Sequence, residues 1–186
     1  MRFFKRIVAL LLLTSMALFL LTSCGGKSNK VVIEVEGYGK IVIQLKPDVA
    51  PITVENFKNL VNSGFYNGLT FHRIADLTYQ GGYIVQGGCP EGNGTGSTTP
   101  IKGEFSANGV TNDLSHVRGV VSMARSNAYD SGSCQFFICA GDCTFLDGNY
   151  AAFAVVIKGL DVVDKIVEDY KANPNIKIVM TRVYVK

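Results

Sequence analysis

Gln135-Phe136-Phe137-Ile138-Cys139 leads, across a short polar gap, into Phe145-Leu146-Asp147-Gly148. Aromatic and β-branched residues bounded by glycine and small polar residues read as a short strand followed by a turn. Pieces of the same kind occur on either side, at residues 68–74, 83–86, 119–124 and 152–157, each set off by glycine. Further out, residues 31–36 and 40–45 are two β-branched runs joined by Gly37-Tyr38-Gly39, which is hairpin chemistry. Residues 176–185 alternate and close the chain as a strand. Two stretches carry helical spacing instead. Pro51 opens one, with Ile52, Val54, Phe57, Leu60 and Val61 on one face and Gly64 beyond its end. Val162, Val163, Ile166 and Val167 mark the other, with Pro174 past its end. Many strands, two helices and no βαβ rhythm predict a mainly β fold, a closed antiparallel barrel with helical caps.

The N-terminus is organised differently. Arg2, Lys5 and Arg6 precede an apolar run over residues 7–21, and Leu21-Thr22-Ser23-Cys24 follows. This is the layout of a bacterial export signal. The run of 15 residues is shorter than the roughly 20 needed to cross a bilayer as a helix. Leu-Thr-Ser-Cys resembles the lipobox of bacterial lipoproteins, in which the cysteine is diacylglycerylated and becomes the new N-terminus. On that reading residues 1–23 are a lipoprotein signal peptide and residues 24–30 a lipidated, glycine-led tether. Residues 31–186 are then one folded domain. Cys24 would carry palmitate-type chains, since durable attachment needs more than one acyl chain. The expected location is the extracytoplasmic face of a cell membrane. An ordinary signal peptide with an incidental cysteine is the plainer alternative.

Removing 23 of 186 residues leaves 163, enough for a single compact core. It also removes Arg2, Lys5 and Arg6, so 15 Lys and Arg stand against 15 Asp and Glu. A neutral domain without a basic run has no electrostatic footprint for nucleic acid. Cys89, Cys134, Cys139 and Cys143 remain. An exported domain could pair Cys139 with Cys143 across Ala140-Gly141-Asp142. Cys134 and Cys139 cannot pair along an extended strand, because five residues at about 3.3 Å each exceed disulfide reach. No second cysteine doublet accompanies Cys139 and Cys143, so no metal is expected.

Hydrolytic and phosphate-binding signatures are absent. Ser115, His116 and an aspartate could form a triad on paper, but no Gly-x-Ser-x-Gly elbow is present. Gly92-Asn93-Gly94-Thr95-Gly96 lacks the Lys-Ser/Thr of a phosphate loop and reads as a surface loop.

Taken in order, Phe71-His72-Arg73, Gln86-Gly87-Gly88, Ser122-Met123-Ala124-Arg125, Gln135-Phe136-Phe137-Ile138 and Phe145-Leu146-Asp147-Gly148 resemble the cyclophilins, from the opening hairpin to the last strand. The resemblance implies an eight-stranded β-barrel capped by two helices, with a substrate groove on its outer wall. It implies peptidyl-prolyl cis-trans isomerisation by a monomer without a cofactor, acting on proline-containing polypeptides. By the match, Arg73 and Gln86 are the catalytic pair. Tyr83, Ile84, Phe136 and Leu146 would form the proline pocket, although periodicity alone would make each of them core. Ala124 and Arg125 correspond to the stretch that grips the substrate main chain. His72, Gln135, Phe145 and Tyr150 complete the expected binding set.

Several positions depart from the family pattern. The spacing from Arg73 to Gln86 is longer than usual, which marks residues 75–82 as an insertion at the groove's edge. Gln80-Gly81-Gly82 offers a second register, but Gln86 also places the residues before and after it. Cys89 stands where an aspartate is usual, Phe145 where many relatives carry tryptophan, and Tyr150 where histidine is common. A non-catalytic proline-binding module of the same fold is the rival reading, if the insertion covers the groove. A redox or metal role for the cysteines is the third.

Overall fold

The computed structural model describes residues 28–77, 79 and 82–186. The expected signal peptide and Cys24 lie outside them, as does the alternative Gln80 register. Eight strands follow in chain order: β1 (Lys30–Val35), β2 (Gly39–Leu45), β3 (Arg73–Asp76), β4 (Tyr83–Gly87), β5 (Val120–Met123), β6 (Phe136–Cys139), β7 (Ala152–Lys158) and β8 (Met180–Val185). Helix α1 (Pro51–Asn62) and helix α2 (Leu160–Ala172) sit where the apolar spacing predicts them.

The strands form one antiparallel sheet in the order β3-β4-β6-β5-β7-β2-β1-β8. It curls into a barrel that is not fully closed. Across the seam, β3 and β8 share no ladder, and a single bridge joins Thr70 to Val179 just before each strand. Backbone bonds from Phe71 to Ile178 and from Met180 to Leu69 reinforce that point, after which the two chains diverge. Residues 176–179 are not strand, because they run along this seam and Ile178 turns into the core.

The centre of the barrel is aromatic. Phe57 of α1 meets Tyr66, Phe136 and Phe153 at centroid distances of 5.2, 5.4 and 5.0 Å. A second apolar cluster lies on the opposite face of β4 and β6, where Ile84, Phe137, Cys139 and Cys143 are buried under Leu77, Phe145 and Leu146. With both faces covered, β6 is buried at every position and shows no polar alternation. The four cysteines among the described residues, Cys89, Cys134, Cys139 and Cys143, are buried free thiols.

Helix α1 starts without a local side-chain cap, since Ala50 precedes it. Its exposed N–H groups are met from far along the chain by Glu104, which is 2 % exposed. Glu104 Oε1 accepts from the Ile52 N–H at 3.0 Å, and Oε2 accepts from the N–H and hydroxyl of Thr53, both at 2.7 Å. A carboxylate at the positive end of a helix is favourable on both hydrogen-bonding and dipole grounds.

Candidate active site

Side chains alternate along a strand, so Ile84 and Gln86 share one face of β4, while Gln135 and Phe137 share one face of β6 and the residue before it. The register aligns these faces: Gln86 lies opposite Phe137, and Arg73 of β3 lies opposite Gln86. Arg73, Ile84, Gln86 and Phe137 wall an open groove of about 600 Å³, completed by Leu77, Ala124, Arg125, Phe145, Leu146 and Tyr150. Its floor is apolar, and its rim carries Arg73 and Gln86.

A one-way chain of hydrogen bonds orients that rim. Arg73 Nη1 donates to Gln86 Oε1 at 2.9 Å, and Gln86 Nε2 donates to Gln135 Oε1 at 3.0 Å. Gln135 Nε2 in turn donates to the carbonyls of Gly94 and Gly96 at 2.9 and 2.8 Å. A guanidinium can only donate and a backbone carbonyl can only accept, so the ends of the chain fix both amides between them. Cys89 Sγ holds the same loop from below, accepting from the N–H groups of Gly94 and Gly96 at 3.2 and 3.3 Å. Burial opposes ionisation of Cys89, but backbone N–H groups at Gly96, Asn93, Gly94 and Glu91 outweigh it and lower its pKa. Gly88 lets the chain pass here: its φ is +85°, and a Cβ would sit 2.6 Å from the Cys134 carbonyl oxygen.

Most of the expected site residues converge on this groove, and four do not line it: Phe136, Tyr83, His72 and Gln135. Phe136 belongs to the barrel interior: it is fully buried and packs edge-on against Phe57 and Tyr66. Its neighbour Phe137 supplies the pocket wall instead. The signal for this was in the sequence, because Gln135 and the residue two further on must share a face. Tyr83 is likewise on the opposite face from Ile84, where its hydroxyl donates to Asp76 at 2.8 Å and Lys171 lies over its ring. His72 faces the seam, a separate 490 Å³ depression lined also by Phe71, Glu91 and Pro174. Gln135 opens onto an adjoining polar arm of about 360 Å³ that shares Gln86, Gly94 and Arg125 with the groove as lining residues. Leu77 and Thr95 are lining residues that the motifs did not reveal.

The model of the family described as cyclophilin type peptidyl-prolyl cis-trans isomerase/CLD matches residues 30–185. The chain belongs to the cyclophilins. Over 154 residues it is 41 % identical to a peptidyl-prolyl cis-trans isomerase of Acinetobacter baylyi, covering 79 % of this chain and 77 % of that one. It is 42 % identical over 127 residues to peptidyl-prolyl cis-trans isomerase B of Bacillus subtilis, covering 68 % and 82 %. A Cryptosporidium parvum cyclophilin, crystallised in the presence of the dipeptide Ala-Pro, superposes with a TM-score of 0.72 at 26 % identity, covering 84 % of this chain and 98 % of that one. The activity is peptidyl-prolyl cis-trans isomerisation.

Behind the cyclophilin groove lies a polar chain, buried at Ser122 and His116 and open to solvent at Asp147, that has the outline of a hydrolytic triad. His116 Nδ1 bonds Asp147 Oδ1 at 2.7 Å, and its Nε2 bonds Ser122 Oγ at 2.9 Å. The carboxylate can only accept, so Nδ1 carries the proton and Nε2 accepts from Ser122. Ser122 is fully buried and His116 is 1 % exposed, so no substrate carbonyl can reach the hydroxyl. The chain supports the pocket instead: the His116 ring stacks on Phe137 at 6.2 Å and 18°. Ser115 pairs with the other oxygen of Asp147, donating at 2.6 Å.

Burial lowers the pKa of His116 from its ordinary 6.5, against the opposing pull of Asp147. Burial raises that of Asp147, but bonds from Ser115 and His116 outweigh this and leave it lowered. In both cases the unfolded chain binds the proton more readily, so stability falls as pH falls. The decline is expected to begin near pH 6.5, as His116 titrates in the unfolded chain, and to steepen below about 4 as Asp147 follows. Thermal unfolding followed across this range should show it, and His116→Gln should flatten the upper part of the decline.

Proposed function

We propose that this cyclophilin accelerates rotation about X-Pro bonds in exported polypeptides as a monomer, held by lipid on Cys24 at the extracytoplasmic face of a cell membrane. The observation that carries the catalytic part is the Arg73–Gln86 pair standing over an apolar pocket. Rotation breaks amide resonance, with a barrier near 18–20 kcal/mol, and needs no covalent step. The proline ring enters the pocket formed by Ile84, Phe137 and Leu146. Arg73 donates to the prolyl nitrogen as its lone pair localises in the twisted state, an interaction stronger there than in the planar ground state. Gln86 holds the guanidinium and takes up the adjoining peptide group, while the Ala124–Arg125 backbone aligns the main chain. Among the described residues of the insertion only Leu77 lines the groove, and Leu77 N–H closes back on the Gly82 carbonyl at 3.0 Å. That favours turnover over a covered binding module.

The anchor is supported by the order of basic, apolar and Leu-Thr-Ser-Cys segments at the N-terminus. Two measurements test the whole reading. Mass spectrometry of the membrane fraction should find a chain beginning at a diacylated Cys24, and an unmodified Cys24 or cleavage elsewhere contradicts the anchor. Refolding of a substrate limited by a slow X-Pro step should accelerate with catalytic amounts of the protein, and an unchanged slow phase contradicts the folding role.

A further inference from the structure

Arg125 is held rigidly, yet none of its partners is anionic. Its Nε and Nη2 both donate to the Asn149 carbonyl, at 2.9 and 2.8 Å, and Nη1 donates to the Ser126 carbonyl at 2.9 Å. Three rings surround the guanidinium carbon, at 5.1 Å for Phe105, 5.2 Å for Tyr129 and 4.5 Å for Tyr150. Aromatic faces attract a cation without cancelling its charge. Of the five guanidinium N–H groups these bonds use three, which leaves one on each Nη nitrogen. Such a pair matches the two oxygens of a carboxylate.

The surroundings point the same way. Arg125 lines both the apolar groove and its polar arm, and Arg73 lines the groove beside it. No Asp or Glu is among the described lining residues of either space. The arm is walled instead by hydroxyls of Thr95, Ser97, Ser126, Ser131 and Ser133. Two fixed cations in a cleft with no counter-charge make a positive site inside a domain that is neutral overall.

We propose that Arg125 determines specificity: the groove selects X-Pro segments that carry an Asp or Glu near the bond, whose carboxylate docks in the hydroxyl-walled arm against the Arg125 guanidinium. This rests on the groove being where the X-Pro bond is turned over. An extended chain advances about 3.3 Å per residue, so a side chain one or two positions from the proline spans from pocket to arm. The alternative is that Arg125 merely pins the Asn149–Tyr150 segment.

The test is a set of Ala-Pro peptides with Glu, Gln or Lys placed two residues before or two residues after the proline, with kcat/KM measured by NMR exchange. In at least one flank Glu should exceed Lys by about fivefold or more, with Gln between them. Raising salt from about 0.01 M to about 1 M should shrink that ratio. In Arg125→Met the Glu-to-Gln ratio should fall to about one, whatever happens to the absolute rate, and in Arg125→Lys it should fall only part of the way. Should Arg125→Met not fold, the wild-type peptide series and its salt dependence decide alone. Equal turnover of all three side chains in both flanks overturns the specificity role. So does a Glu-to-Gln ratio that survives in folded Arg125→Met. No turnover of any peptide by folded wild type overturns the isomerase reading instead, so the two failures are distinguishable.

Discussion

Replacing Arg73 with alanine is expected to lower kcat/KM for a neutral Ala-Pro peptide about 10²–10³-fold, the loss typical of removing one donor aimed at a transition-state charge. Arg73 is exposed, and its one described side-chain bond is to Gln86. Its removal therefore leaves no buried group unpaired, and thermal stability should hardly change. Arg73→Lys should lose nearly as much activity, because an ammonium on a flexible stem cannot donate to Gln86 and the prolyl nitrogen from one plane. Gln86→Ala should cost less, since it frees the guanidinium without removing it. A kinetic defect with an unchanged melting temperature separates this role from a structural one.

Glu104→Ala should give the opposite profile. It removes the acceptor for three donors at the start of α1, two of them backbone groups that belong to the helix, and the two on Thr53 are fully buried. Unmet buried donors and the lost charge–dipole interaction together should cost about 3 kcal/mol. For a domain of this size that is a fall of roughly 6–12 °C in melting temperature. Glu104→Gln keeps one acceptor oxygen and should recover part of the loss. Because Glu104 is absent from the groove lining, kcat/KM well below the transition should follow the folded fraction.

The two residues differ in how visible they are before folding. Arg73 sits in a local motif, and Gln86 could be placed by its flanking residues, so the pair was readable; its cross-strand register then follows from the strands themselves. Glu104 was not readable. Ile52, the first helix residue it bonds, lies 52 residues earlier, and nothing near Ala50 announces a remote carboxylate. Both helices were legible because each buries one face at helical spacing.

The error at Phe136 has a different cause. Phe-Phe-Ile-Cys is buried on both faces, so composition cannot say which aromatic faces the barrel and which the groove. Two-residue alternation from Gln135 would have chosen Phe137, and from Gln86 would have excluded Tyr83. The open seam was illegible for a topological reason. Residues 176–179 have strand-like alternation, but partners are scarce where β3 and β8 diverge, so the pattern yields one bridge rather than a ladder.

On the proposed reading Arg73 and Gln86 face one groove in which an X-Pro bond turns over. Exchange NMR on an Ala-Pro peptide tests it most directly, with the folded protein at a small fraction of the peptide concentration. Uncatalysed rotation takes tens to hundreds of seconds, so at sub-second mixing times the peptide alone gives no cis–trans cross-peaks. With wild-type protein those cross-peaks should appear, and with Arg73→Ala they should vanish. Peptide shifts that move on binding while no exchange peaks appear would contradict the claim.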